Sequence, residues 1–183
     1  MTTPSVANYS LLKGKLHIAA YAASPSNWTA IGNCASVQVE HQIEKLPHYS
    51  SMVGLKKKDA DFIISLGYTV TFETDEICAE NLLLWCMGTN NGDNISALTA
   101  TTNQYSLKFV EDKAIGGTNR TYVFHKVNLS PNGAGALVSE ELGVLSFTAE
   151  GLADEVNHNS SMFYDIRWTS TTTSTTSTTT SST

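Results

Sequence analysis

Apolar positions along most of this chain recur at every second residue, the period of a strand with one face buried. In Leu12 to Tyr21 the pattern predicts a first strand with Leu16 and Ile18 on one face. From Val37 to Leu46 the alternation is clearer. Val37, Val39, His41 and Ile43 fall on one side, expected to face a core, and Gln38, Glu40, Gln42 and Glu44 fall on the other. Pro47 lacks the amide donor a ladder needs, so the strand is expected to stop there or to form an edge. Phe62 to Leu66 and Tyr68 to Thr74 read as two further strands, the second with Tyr68, Val70 and Phe72 opposite Thr69, Thr71 and Glu73. Tyr105 to Glu111, Arg120 to Leu129, Leu142 to Glu150 and a short closing strand at Met162 to Trp168 complete the set. Turn-forming residues separate them at Ser24 to Asn27, Ile115 to Asn119 and Ser130 to Gly135.

Two stretches break this period. His48 to Asp61 is polar and basic, with Gly54 and the run Lys56-Lys57-Lys58, and it predicts a projecting loop or hairpin. Ala79 to Met87, carrying Leu82, Leu83, Leu84, Trp85 and Cys86, predicts a short helix. Thr74 is its expected N-cap, Asp75 and Glu76 favour the positive end of the dipole, and Gly88 is its expected stop. So apolar a helix has to lie against a sheet, with Leu82, Trp85 and Cys86 buried. Asn90 to Asn94 is a turn that lacks the acidic ligands and closing Glu of a calcium loop. The fold expected is mainly β: an antiparallel sandwich or half-barrel with one short flanking helix, over residues 1–168. Residues 169–183 are all Ser or Thr and are expected to form a disordered tail, because they have nothing apolar to bury.

Charge narrows the function classes. Eleven Lys and Arg stand against seventeen Asp and Glu, a net charge of -6, which disfavours a protein that grips phosphates. It does not disfavour a surface that nucleic acid slides past. The N-terminus shows neither a basic start nor an apolar run of signal type, and the apolar stretches are too short for a bilayer, so synthesis in the cytoplasm with no membrane partner is expected.

Catalysis finds no foothold. There is no phosphate loop, nucleophile elbow or zinc helix, and His17, His41, His48, His125 and His158 have no paired spacing. His41 and His125 sit on apolar strand faces, as satisfied core or interface histidines. The pairs Glu140/Glu141 and Glu40/Glu44 show no sign of the burial that would tune a carboxylate. Cys34, Cys78 and Cys86 have no metal spacing. The latter two, eight residues apart on one helix, would lie about 12 Å apart, too far for a disulfide, so all three are expected as small buried hydrophobes. The expectation is no enzyme, no cofactor and no metal.

Two segments carry a likeness. Glu44 to Asp59 reads EKLPHYSSMVGLKKKD, and Thr69 to Gly88 reads TVTFETDEICAENLLLWCMG. In that order and separation they resemble the loop and the strand-then-helix segment of major tail tube proteins of long-tailed bacteriophages. The resemblance implies a virion structural protein, assembled in the host bacterial cytoplasm. Six copies would close a ring around a channel, with tape-measure, tail-tip and terminator proteins as partners, and DNA would pass without specific binding. It also implies a lumen face made of Gln38, Glu40, Gln42, Glu44, Thr69, Thr71, Glu73, Ser146, Thr148 and Glu150. None of these is basic, so phosphate would be repelled. The projecting loop, with His48, Tyr49, Ser50, Ser51, Gly54, Leu55, Lys56, Lys57, Lys58 and Asp59, would join stacked rings. Strands ending in plain turns, with few devices to block an edge, suit a ring that closes its edges. A type VI secretion-like tube shares this architecture. A carbohydrate-binding or adhesive β-sandwich, with Trp28 or Trp168 as platform, is the alternative from another class.

Overall fold

Each alternating segment becomes a strand of one antiparallel sheet in the computed structural model, which describes residues 13–52, 54–112, 119–135 and 143–169. Along the chain run β1 (Gly14–Ala20), β2 (Thr29–Ala30), β3 (Cys34–Ser50), β4 (Lys57–Thr74), α1 (Ala79–Trp85), β5 (Thr89–Asn90), β6 (Ile95–Ser96), β7 (Gln104–Glu111), β8 (Asn119–Pro131), β9 (Leu145–Gly151) and β10 (Tyr164–Thr169). The main sheet is ordered β2-β1-β7-β8-β9-β4-β3, with β10 also on β8; β5 and β6 form a separate small hairpin around the predicted turn. Among the described residues the protein is therefore mainly β and antiparallel, with one short helix and no closed barrel. Glu140, Glu141 and residues 170–183 lie outside the described residues; Thr169, expected in the tail, ends β10.

Strand β8 makes the fold three-dimensional. Tyr105 of β7 pairs with Val127 and Leu107 pairs with Phe124, so three steps on β8 oppose two on β7, and a bulge falls at His125–Lys126. At that bulge the other neighbour of β8 changes, from β10 along Asn119–Phe124 to β9 along Val127–Pro131. A bulge bends its strand and increases local twist. The bend lets β1 and β4, near opposite ends of the strand order, feed one core. Leu16 and Ile18 meet Tyr68, Val70 and Phe72 there, with Leu107, Phe124, Val127, Leu129, Leu145 and Phe147. Phe72 and Phe147 stack at 4.9 Å between centroids. Burial of Tyr68, followed by the charge of Tyr164, pushes its phenol pKa up.

The helix differs in detail from its prediction. Thr74 does not cap it; Thr74 is the last paired residue of β4, and its hydroxyl donates to the Asn33 carbonyl. Cys78 is the N-cap and has no side-chain cap bond. Leu82, Leu84 and Trp85 pack on the core while half-buried, and Cys86 is half-buried too. The buried helix residue is polar: Asn81 donates to the carbonyls of Ile31 and Glu76, both at 2.8 Å. One turn of a seven-residue helix reaches the sheet here, and an amide that satisfies two loop carbonyls ties it down. At the other end Met87, not Gly88, takes the left-handed conformation, φ 48°. Met87 N–H donates to Leu84 and Gly88 N–H to Leu83, which together complete a Schellman closure. Gly88 is needed for space, since a Cβ would stand 2.8 Å from the Ser96 carbonyl oxygen. The three cysteines are free and half-buried instead of fully buried. Burial, then the charge of Asp75, pushes the Cys34 thiol pKa up to about 11.

Candidate functional site

Strands β3, β4 and β9 lie side by side, and their register gathers the ten polar residues on one surface. Gln38 faces Thr71 and Glu40 faces Thr69 across the first pair; Thr71 faces Thr148, Thr69 faces Glu150 and Glu73 faces Ser146 across the second. Gln42 and Glu44 continue the row beyond, opposite Gly67 and Ser65. Side chains stitch the rungs laterally: Gln42 Nε2 donates to Thr69 Oγ1 at 3.0 Å, and Ser146 Oγ donates to Glu73 Oε1 at 3.3 Å. Four carboxylates, Glu40, Glu44, Glu73 and Glu150, stand on this surface, and no Lys or Arg shares their rungs on β3, β4 or β9. Asn128 and Ser130 of β8 extend it, opposite Glu150 and Thr148. Sequence reasoning missed these two, because the bulge at His125 shifts the phase of β8.

Beyond this surface β3 and β4 run on as a two-stranded arm. The stretch read as a projecting loop or hairpin is a hairpin made mostly of strand: β3 continues through Pro47 to Ser50, β4 starts at Lys57, and the two predicted strands of β4 are one. Pro47 is tolerated because β3 is the edge of the sheet. With Pro47 on β3 and three register shifts along the β3–β4 pair, this edge does carry edge-breaking features, contrary to expectation. The stretch from Ile43 to Ser50 spans on the order of 25 Å. The inner face last touches the body at His41, whose Nε2 is 2.7 Å from the Tyr164 hydroxyl.

The arm is apolar on both sides. On the side away from the polar row Ile43 pairs with Leu66 and Lys45 with Ile63; these three apolar side chains are 52%, 54% and 57% exposed. Val39, expected in the core, is also exposed, and of that predicted face only Val37 packs on the core. An extra residue on β4, Ile64, sits between the Glu44–Ser65 and Lys45–Ile63 pairs. Past it the polar row turns apolar, with Leu46 paired to Phe62, both more than half exposed. The inter-ring residues divide accordingly. His48, Tyr49 and Ser50 end β3; Ser51, Gly54, Leu55 and Lys56 lie in the turn, Gly54 at φ 69°; Lys57, Lys58 and Asp59 begin β4. The tip is less basic than its sequence reads. Lys58 Nζ is 2.7 Å from Asp61, His48 bonds Asp59, and Lys56 Nζ lies over the Tyr49 ring.

The body also has an open seam. An open groove of about 850 Å³ separates the inner face of β3, at Cys34, Val37 and Val39, from Gly14, Phe109 and Tyr122 on β1, β7 and β8. Beside it the buried carboxylate of Glu111 is held by Arg120 through Nε at 2.7 Å and Nη2 at 2.8 Å. The bond to Glu111 keeps that guanidinium firmly charged by raising its pKa. Of the two candidate tryptophan platforms, Trp28 is half-buried with Lys108 Nζ 4.6 Å over its ring, while Trp168 is 67% exposed.

These elements define a curled antiparallel β protein with a free edge, a polar face and an uncovered arm. Residues 9–92 match a family described as "Protein of unknown function UCP028589". No curated protein matches the sequence. Among solved structures the chain is similar to a chain of the anti-feeding prophage baseplate, seen by cryo-EM with 6-fold symmetrisation. The two are 12% identical, with a TM-score of 0.40 over 92% of this chain and 97% of that one.

Proposed function

We propose that this chain is a structural subunit of a phage-type tail, specifically the subunit of its tube. Six copies form each ring, the polar face of β3, β4 and β9 lines the channel, and the arm bridges to the next ring. The observation that carries this reading is the arm. A two-stranded ribbon is marginal by itself in water. This one exposes Ile43, Leu66 and Ile63 on one side and Leu46 and Phe62 on the other, beside an unpaired strand edge. Apolar groups on both sides of a ribbon call for partner surfaces on both sides, which stacked copies supply. The polar face supports the second half of the reading. A channel lined with carboxylates and hydroxyls repels a polyanion and lets it slide, which favours nucleic acid as cargo over the protein cargo of a secretion tube.

Negative-stain electron microscopy of the purified protein at low and high concentration tests this. Rings or tubes with a central hole are expected. Uniform monomers that persist when tail-tip proteins are added would overturn it. The arm tip makes a second, separable prediction. Reversing Lys56 and Lys57 to Glu leaves the Lys58–Asp61 pair intact and converts the tip from basic to acidic. Rings are expected to form but not to stack, because like charge now meets an acidic neighbour. Normal tubes from this variant would remove the tip lysines from stacking.

A further inference from the structure

The chain between β9 and β10, residues 152–163, leaves β8 opposite Val127 and returns opposite Phe124, so its two ends are adjacent. That makes it an Ω-loop closed over the bulge of β8. Its backbone is tied at several points: Leu152 N–H donates to the Lys126 carbonyl, Asp154 N–H to Met162, and His125 N–H to Phe163. At its centre Asp154 is buried, accepting from the Tyr21 hydroxyl at 3.0 Å and contacting His158 Nδ1 at 2.9 Å. The ring of His158 lies flat on that of His125, 3.7 Å between centroids with planes 10° apart. His125 is itself 4% exposed, and its Nε2 has no hydrogen-bond partner among the described residues.

Among the described residues, charged groups face this stack from β10, the loop and β8. From β10, Asp165 stands 3.7 Å from His125 Nε2, with Arg167 beyond it. From the loop come Asp154 and His158. Next to His125 on β8, Lys126 turns aside to the ring of Tyr21, and the flanking residues of β1 and β7, Ala19 and Ser106, carry no charge. We propose that loop 152–163 is an acid-released latch, docked while the buried imidazole of His125 is neutral and opened when that imidazole takes a proton.

The sign follows from linkage. Burial, then His158, then Arg167 disfavour a proton on His125; Asp165 and Asp154 oppose them without prevailing, so its pKa lies below the ordinary 6.5. With the loop open the ring is hydrated and its pKa returns toward 6.5. The open form thus binds more protons below that pH, and acid favours it. The docked form is fully favoured above 6.5 and loses ground as pH falls through that value. Asp154 adds nothing in this window. Burial raises its pKa, but the bonds from His158, Tyr21 and Asn157 outweigh burial and hold it below 3.8.

Hydrogen exchange of the full chain between pH 8 and 5, corrected for the intrinsic pH dependence, reads the latch. Amide protection across 152–163 is expected to fall at least about 10-fold on acidification while β4 and β9 keep theirs. In His125→Phe an aromatic ring preserves the stack without the buried titrating group, so the acid-induced fall is expected to shrink below about 3-fold. Protection that stays level in the wild type overturns the proposal, as does a His125→Phe response equal to the wild type. Should the phenylalanine disturb docking at every pH, the wild-type NMR titration of His125 decides: a midpoint below 6.5 coincident with loop opening supports the latch, and one at or above 6.5 overturns it.

Discussion

A subunit carrying Ile43→Asp together with Ile63→Asp remains folded and remains a monomer. Both residues lie on the side of the arm away from the polar row, both are more than half exposed in the single chain, and neither belongs to the core. Substitution at such positions changes the stability of a lone subunit by no more than about 0.5 kcal/mol. Assembly is different. Burying either carboxylate without a partner costs at least several kcal/mol, and two on one side of a narrow ribbon remove the surface that a neighbour would cover. Electron microscopy should show no rings or tubes, while the thermal midpoint by circular dichroism stays that of the wild type. Tubes of normal appearance would show that this side of the arm is not buried between subunits. A large drop in midpoint would show that it already packs within one.

The second large effect lies in the core. Phe72→Ala removes a ring that is 1% exposed and stacks on Phe147. Deleting a buried aromatic side chain loses its transfer free energy and leaves a cavity, together about 3–5 kcal/mol. Phe72 also joins β4 to β9, the pair that carries most of the polar face. The urea midpoint is therefore expected to fall with the slope unchanged, and assembly to fail for lack of folded subunit. The contrast with the arm variant separates loss of fold from loss of interface. A Phe72→Ala protein as stable as the wild type would mean that the core repacks around the missing ring.

Much of the body was legible in the chain. Tyr68, Val70 and Phe72 alternate with Thr69, Thr71 and Glu73 because a half-exposed sheet needs that division, and the structure places the two sets on opposite faces as expected. Helix α1 was also visible, since a run of Leu and Trp interrupts the two-residue period. Its capping was not, because Thr74 serves equally well as a strand end and as a cap. Strand pairing decided between these roles.

The period-two pattern by itself determined the fold class, the inward residues of β1, β4 and β9, and the ten polar positions on β3, β4 and β9. The physical reason is that water and core divide side chains locally, one residue at a time. Only the tertiary structure decided that β3, β4 and β9 are neighbours, so that three polar rows become one surface. It alone decided between loop and hairpin at His48–Ser50 and Lys57–Asp61: a ribbon without a core beneath it has no reason to alternate, so its sequence leaves both open. The bulges at Ile64 and His125 each exchange faces through one extra residue, and no local signal marks where that residue falls. They turn Phe62 onto the polar row beside Leu46, bring Asn128 and Ser130 into register with it, and set His125 beneath His158. Those two rings meet because a bent strand and a closed loop bring distant parts of the chain together, and distance along a chain carries no information about such a meeting.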